Sequence, residues 1–165
     1  GLGIPAEPLF RSASWSRRYF EPGSVTFYAP ITADNIRLTQ RGNLVWIHGA
    51  NEAAVIEARN IDDNANKTRI TVTGRFISSY MDRRLIRPKV NFSGYVEVAM
   101  RQLLSRVAAI PLVELGTLVG FTDTITFQAT YKNLLKYEEK LAQNSNLGFR
   151  FRPDFTAKKI YFEVY

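Results

Sequence analysis

His48 is the single imidazole in the chain, and it bounds the chemistry available. A nucleophilic triad would have to use it, yet it ends an apolar stretch, "NLVWIHG" (43–49), with no serine or acid evidently placed to pair with it. A histidine metal site needs more than one such ligand. "IDDNANK" (61–67) sets Asp62, Asp63 and Asn64 side by side, but a calcium loop needs ligands at alternate positions and a closing glutamate. Glu138 and Glu139 stand beside Lys136 and Lys140, which predicts a charged, solvated helix face. Gly42, Gly49 and Gly74 are scattered and make no phosphate-cradling loop, so they are expected at turns. The expectation is no catalytic residue, no metal, no cofactor and a non-enzymatic role.

What remains is a set of arginines and aromatics. Arg17, Arg18, Tyr19, Phe20, Phe27 and Tyr28 lie close together in the sequence. Basic and aromatic residues on a barrel can stack single-stranded nucleic acid; alternating aromatics can equally fill a core. Trp15 and Trp46 are expected as core or interface anchors. The net charge of +7 points to an anionic partner. The basic residues are dispersed, however. The densest groups are Arg83, Arg84, Arg87 and Lys89, and Arg150, Arg152, Lys158 and Lys159. Neither is an unbroken block, which favours solvated faces or a protein interface over nucleic acid.

The elements that must position these residues are mostly hairpins. In "RRYFEPGSVTFYAP" (17–30), Pro22 and Gly23 suit a tight type II turn, and Val25, Phe27 and Ala29 alternate with polar neighbours. Residues 10–20 read as extended, and the opening "GLGIPAEPL" as irregular. "TADNIRLTQRG" (32–42) fits a short helix capped by Thr32 and ended by Gly42. "NLVWIHG" and "AAVIEARNI" (53–61) form a second hairpin, and "NIDDNANK" (60–67) a polar loop. "TRITVTG" (68–74) is a strand ended by Gly74, followed by a short helix over 75–86.

Beyond Arg87 and Pro88 the pattern changes. Ser93 caps an amphipathic helix over 94–107, Pro111 stops it, and "FTDTITFQ" (121–128) alternates as a strand. Thr130 caps a second helix over 131–145, and "LGFRFRPDF" with "KKIYFEVY" closes the chain as a third hairpin. The fold expected is α+β. Residues 1–88 form a mainly antiparallel β-barrel or sandwich of hairpins, and residues 89–165 a smaller helix–strand–helix–hairpin part packed on it.

A chain of 165 residues buries enough surface to need no staple, and the absence of cysteine excludes a disulfide framework and a thiolate metal site. The longest apolar run, "VAAIPLV" (107–113), is far short of the roughly 20 residues that span a bilayer. The chain opens on Gly1 rather than Met, and no signal-peptide pattern follows.

In order along the chain, several pieces resemble the siphovirus gene-37-like tail protein family. They are "WSRRYFEPGSVTFYAP" (15–30), "RGNLVWIHGANEAAVIEARN" (41–60), "ITVTGRFISSYMDRRLI" (70–86), "NFSGYVEVAMRQLL" (91–104) and "TYKNLLKYEEKLAQNSNLGFRF" (130–151). The resemblance implies a phage or prophage tail-tip component, in the hub or baseplate, built on tube-like β-barrels that form rings. It implies a homo-oligomeric ring and other tail proteins as partners, a virion tail-tip location after synthesis in the host cytoplasm, and no stable nucleic-acid contact. The family motif carries no catalytic residue to transfer. Candidate assembly contacts are Arg17, Arg18, Tyr19, Phe27, Tyr28 and Trp46, with the Asp82, Arg83, Arg84 corner, because Trp, Tyr and Arg are common interface anchors. Two alternatives stay open: a single-stranded nucleic-acid-binding barrel, and a split-barrel flavin enzyme.

Overall fold

The computed structural model describes residues 4–5, 12–87, 89–106 and 110–165. They fall into two compact units. One comprises residues up to Arg18 with Pro22–Ile77; the other comprises Tyr19–Glu21 with Ser78–Tyr165.

The first unit is a six-stranded sheet. Its strands are β1 (Ile4–Pro5), β2 (Ser12–Ser16), β3 (Ser24–Ala29), β4 (Leu44–Trp46), β5 (Ala53–Asn64) and β6 (Lys67–Phe76), with α1 (Ala33–Leu38) between β3 and β4. The order across the sheet is β1-β4-β5-β6-β3-β2, antiparallel except for β1 on β4. β1 and β2 do not pair with each other, so the sheet is a curled half-barrel. Period-2 burial sets the register. Val25, Phe27 and Ala29 of β3 join Val45, Ala54, Ile56, Ile70, Val72 and Phe76 in one core, while Ser24, Thr26 and Tyr28 lie on the other face. Each large side chain so buried contributes about 1.5–3 kcal/mol, and a one-residue slip of β3 would expose Phe27, so the pairing is strongly fixed.

Several expectations shift here. Of the extended stretch expected over 10–20, residues 12–16 form the first arm of the opening hairpin, and residues 17–23 connect it to β3. Gly23 does not take a positive φ. A Cβ there would stand 2.3 Å from the Ser16 carbonyl oxygen and 2.6 Å from the Phe76 ring, so space, not a type II turn, requires glycine. Thr32 caps α1 as expected, but α1 ends at Leu38, where Asn43 Nδ2 donates to the Leu38 carbonyl at 2.9 Å. Gly42 follows later, in a turn at φ +94°. The polar loop at 60–67 is instead the continuation of β5 and the start of β6. Asn64 Oδ1 accepts from the amides of Asn66 (3.0 Å) and Lys67 (2.9 Å), which closes a two-residue turn locally. Ile4–Pro5, expected irregular, pair with Val45–Trp46; the rest of that opening lies outside the described residues.

β6 runs through Gly74 to Phe76 and is followed by a 3₁₀ segment, Ile77–Arg83, and by β7 (Leu85–Ile86), in place of the helix expected over 75–86. The second unit then carries β8 (Val90–Tyr95), α2 (Val96–Arg106), β9 (Val113–Leu115), β10 (Thr124–Ala129), β11 (Lys132–Asn133), α3 (Leu134–Ser145), β12 (Phe149–Asp154) and β13 (Lys159–Val164). β8 pairs with β10 and β7 with β11, while β12, β13 and β9 form a three-stranded sheet. Ser93 does not cap a helix; its hydroxyl lies 3.0 Å from that of Thr126 across the β8–β10 ladder. Nor does Thr130 cap α3. The Tyr131 amide donates to the Ile86 carbonyl and Lys132–Asn133 pair with β7, so the helix starts only after Asn133, whose Oδ1 accepts from the Lys136 amide at 3.0 Å.

Glu138 and Glu139 are not a solvated face. Glu138 shows 0 % exposure and Glu139 9 %. Glu138 sits between Leu134, Leu135, Leu141 and Ala142 on the buried stripe of α3, and neither carboxyl oxygen has a hydrogen-bond partner. Burial pushes its pKa well above the usual carboxylate range. Glu139 accepts from Lys136 Nζ at 2.9 Å.

Candidate assembly surfaces

Arg17, Arg18, Phe27, Tyr28 and Trp46 belong to the first unit; Tyr19 and the Asp82–Arg84 corner belong to the second. Arg17 is exposed and its Nε reaches the buried Glu52 carboxylate at 3.2 Å. Arg18 is exposed and Trp46 half-buried. Phe27 is core, 1 % exposed, and presents no surface to a partner. Tyr28, on the opposite face of β3, is half-buried beneath the Arg69 guanidinium. Tyr19 works inside its own unit: its hydroxyl lies 3.2 Å from the carbonyl oxygens of both Asn146 and Tyr165, and its ring packs edge-on to Tyr165.

The Asp82–Arg84 corner is built by the β7–β11 ladder. Asn133 Nδ2 donates to the Asp82 backbone carbonyl (2.7 Å) and to its Oδ1 (3.1 Å), and the Leu134 amide donates to the Arg84 carbonyl at 2.9 Å. The Arg83 guanidinium lies 5.6 Å from the centre of the Tyr80 ring. Burial raises the Tyr80 pKa, and the Arg83 charge lowers it by less. The ladder adds two residues that the linear pattern does not single out. Leu85 is 49 % exposed and Tyr131, held at φ +50°, is 73 % exposed. Exposed Arg and Tyr beside one short ladder are residue types enriched at interfaces.

A second presented surface is the segment after β9. Glu97, in the first turn of α2 and 1 % exposed, accepts from the amides of Val119 (2.7 Å), Gly120 (2.8 Å) and Phe121 (3.1 Å). One turn on, Arg101 Nη1 donates to the Gly116 carbonyl at 2.7 Å. These contacts hold the segment while Leu118 and Val119 remain exposed. Glu97→Ala is expected to lower stability by roughly 3 kcal/mol, since three charge-assisted bonds to a buried carboxylate go at once. Hydrogen exchange should show the amides of 119–121 losing protection ahead of the α2 amides; unchanged protection would contradict the anchoring role.

The basic clusters are unequal. Arg150 and Arg152 both bind Glu163, at 2.8 and 2.6 Å, and lie over the rings of Tyr165 and Tyr161. Burial pushes the Glu163 carboxyl up, but the hydrogen bonds and charges of Arg152 and Arg150 outweigh it and leave the pKa below the ordinary value. Lys159 pairs with Glu114 at 2.7 Å. Two carboxylates, Glu163 and Glu114, thus offset part of this cluster's charge within its own sheet.

The family profile described as Siphovirus ReqiPepy6 Gp37-like protein matches residues 8–165. No curated protein matches the chain. Prophage tail protein gp18 from Listeria monocytogenes EGD-e is similar in structure, with a TM-score of 0.59 at 12% identity over 90% of this chain and 42% of that one. The tail protein from Neisseria meningitidis MC58 gives 0.60 at 15% identity, over 93% and 46%. The E. coli c3393 protein gives 0.50 at 13% identity, over 94% and 48%; it is described as a component of the type VI secretion system with structural similarity to the T4 bacteriophage tail proteins gp27 and gp5. The chain thus spans less than half the length of each, and at these identities the likeness is one of fold. With its profile covering nearly the whole sequence, the chain belongs to the Siphovirus ReqiPepy6 Gp37-like family.

Proposed function

We propose that this chain is a structural, non-catalytic part of a phage or prophage tail tip, in the hub or baseplate. Made in the host cytoplasm, copies of it close into a ring at the distal end of the tail tube and stack on other tail proteins. The family match over residues 8–165 carries this reading. The open sheet supports the ring. Among the described residues β2 pairs with β3 alone, so its outer edge leaves backbone donors and acceptors for a neighbouring strand. Head-to-tail contacts that close by rotation make rings, and many weak copies together give a strong assembly. The +7 charge then faces outward or toward acidic neighbours, because phosphates of passing DNA would stick to a basic lumen.

Gold-tagged antibody against the chain, applied to tailed particles from an induced culture and viewed by electron microscopy, tests the position. Gold is expected at the tip distal to the head. Gold along the shaft, or intact tails with none, would overturn the tail-tip reading.

A further inference from the structure

A cleft of about 570 Å³ lies at the end of β3 in the first unit. Its lining includes Ser12, Tyr28, Pro30, Ile31, Thr68 and Arg69. Register brings the polar members together. Tyr28 pairs with Ser12 of β2 and with Thr71 of β6, and Arg69, two residues from Thr71, shares that face. The Arg69 Cζ stands 4.0 Å from the centre of the Tyr28 ring. This stacking contact fixes the guanidinium plane.

The arginine's hydrogen bonding is incomplete. Its Nε is buried and has no hydrogen-bond partner. Asp62, the cross-strand neighbour on β5, accepts from Asn60 Nδ2 at 3.1 Å instead. A permanent cation with a buried, unused donor is costly unless something supplies an acceptor. Apolar walls with a few convergent polar groups are the usual make-up of a ligand cleft.

We propose that this cleft recognises a carboxylate side chain, aspartate or glutamate, of a partner protein. The Arg69 guanidinium offers the donor fork that fits a carboxylate, with the Ser12 hydroxyl at the rim. Tyr28, Pro30 and Ile31 offer apolar surface to the side chain's methylenes. A phosphate chain fits less well, because Asp62 stands opposite Arg69 across the β5–β6 ladder and repels a polyanion more than a single carboxylate. The site rests on the geometry of the sheet alone and does not depend on the chain's position in a tail.

The test is a titration of the ¹⁵N-labelled full chain, following the arginine Nε–H resonances by NMR. The Arg69 signal is identified by its loss in Arg69→Lys, a variant whose backbone spectrum reports whether the fold is kept. The probes are the α-amide of N-acetylglutamic acid, the matching glutamine compound and inorganic phosphate. The expected result is a saturable shift of the Arg69 signal with the glutamate probe, at least about tenfold weaker with the glutamine probe. In Arg69→Lys the shifts of neighbouring backbone amides should weaken by about the same factor. Three results would overturn the proposal. One is no saturable shift. Another is saturation by phosphate at lower concentration than by the glutamate probe. The third is an Arg69 signal that moves in Asp62→Asn and ignores added carboxylate, which would mean an internal pair.

Discussion

Gly74→Ala is expected to lower the unfolding temperature of the protein by roughly 6–12 °C, equivalent to about 3 kcal/mol, the upper end of the usual cost of overpacking. A Cβ at this position would stand 2.1 Å from the Val55 carbonyl oxygen and 3.0 Å from its carbon. Both are backbone atoms of β5, a strand paired on both sides, so no rotamer change can relieve the clash. The close approach comes from a register shift between Ile56 and Ala58, which leaves Glu57 as the extra residue of β5. Glu57 pairs with Arg75 at 3.0 Å, but that partly exposed contact is worth little beside the steric term. Gly42→Ala is the control. It keeps φ +94° but has no atom within 4 Å of the new Cβ, so only about 1 kcal/mol of backbone strain is expected. Thermal melts of the two variants should differ clearly, and equal midpoints would mean that β5 and β6 are not so closely apposed.

That glycine also shows where the sequence is readable and where it is not. Strand β3 and the β12–β13 hairpin are legible because each buries alternate residues, and a period of two is visible in a single segment; the β4–β5 hairpin is legible because two apolar segments flank a polar turn. Gly74 and Gly23 look like turn residues because their constraint comes from atoms remote in the chain: Val55 for one, Ser16 and Phe76 for the other. Asp62 to Asn64 look like a loop because the β5–β6 arm is largely exposed there, so its strand residues need no apolar alternation. Among the candidate contacts, parity separates Phe27 from Tyr28, one facing the core and the other the cleft with Arg69, but parity alone does not say which face is which. Leu85 lies in, and Tyr131 beside, a two-residue ladder too short to leave a periodic trace. Arg69 carries no motif at all; its significance appears only when Tyr28 is found beneath it and its Nε is found unpaired.

Replacing Glu138 with methionine should stabilise the second unit, and the gain should grow with pH. Both carboxyl oxygens are buried without a partner on the apolar stripe of α3, and burial holds the pKa well above the ordinary value. In the unfolded chain the same group titrates near 4.3, roughly the model-peptide value. Between the two pKa values the folded protein holds a proton that the unfolded chain has released. Stability therefore falls as pH rises through that window, by up to about 1.4 kcal/mol per unit, and levels off only above the folded pKa. Glu163 acts in the opposite sense: its folded pKa is lowered, so its contribution is present above the unfolded pKa and is lost as pH falls. The two carboxyls thus pull the second unit's stability in opposite directions as pH changes. Methionine matches the length of glutamate, favours the helix and brings no charge to desolvate. Urea unfolding at pH 4.5 should place Glu138→Met within about 1 kcal/mol of the parent, and at pH 8 about 2–4 kcal/mol above it. The acid-side fall set by Glu163 should survive in the variant, because Glu138→Met leaves the Arg150 and Arg152 contacts in place. A gain of equal size at both pH values would show that Glu138 is not held protonated in the folded state, and its carboxylate would then have to find an acceptor-satisfying donor on α3's buried side.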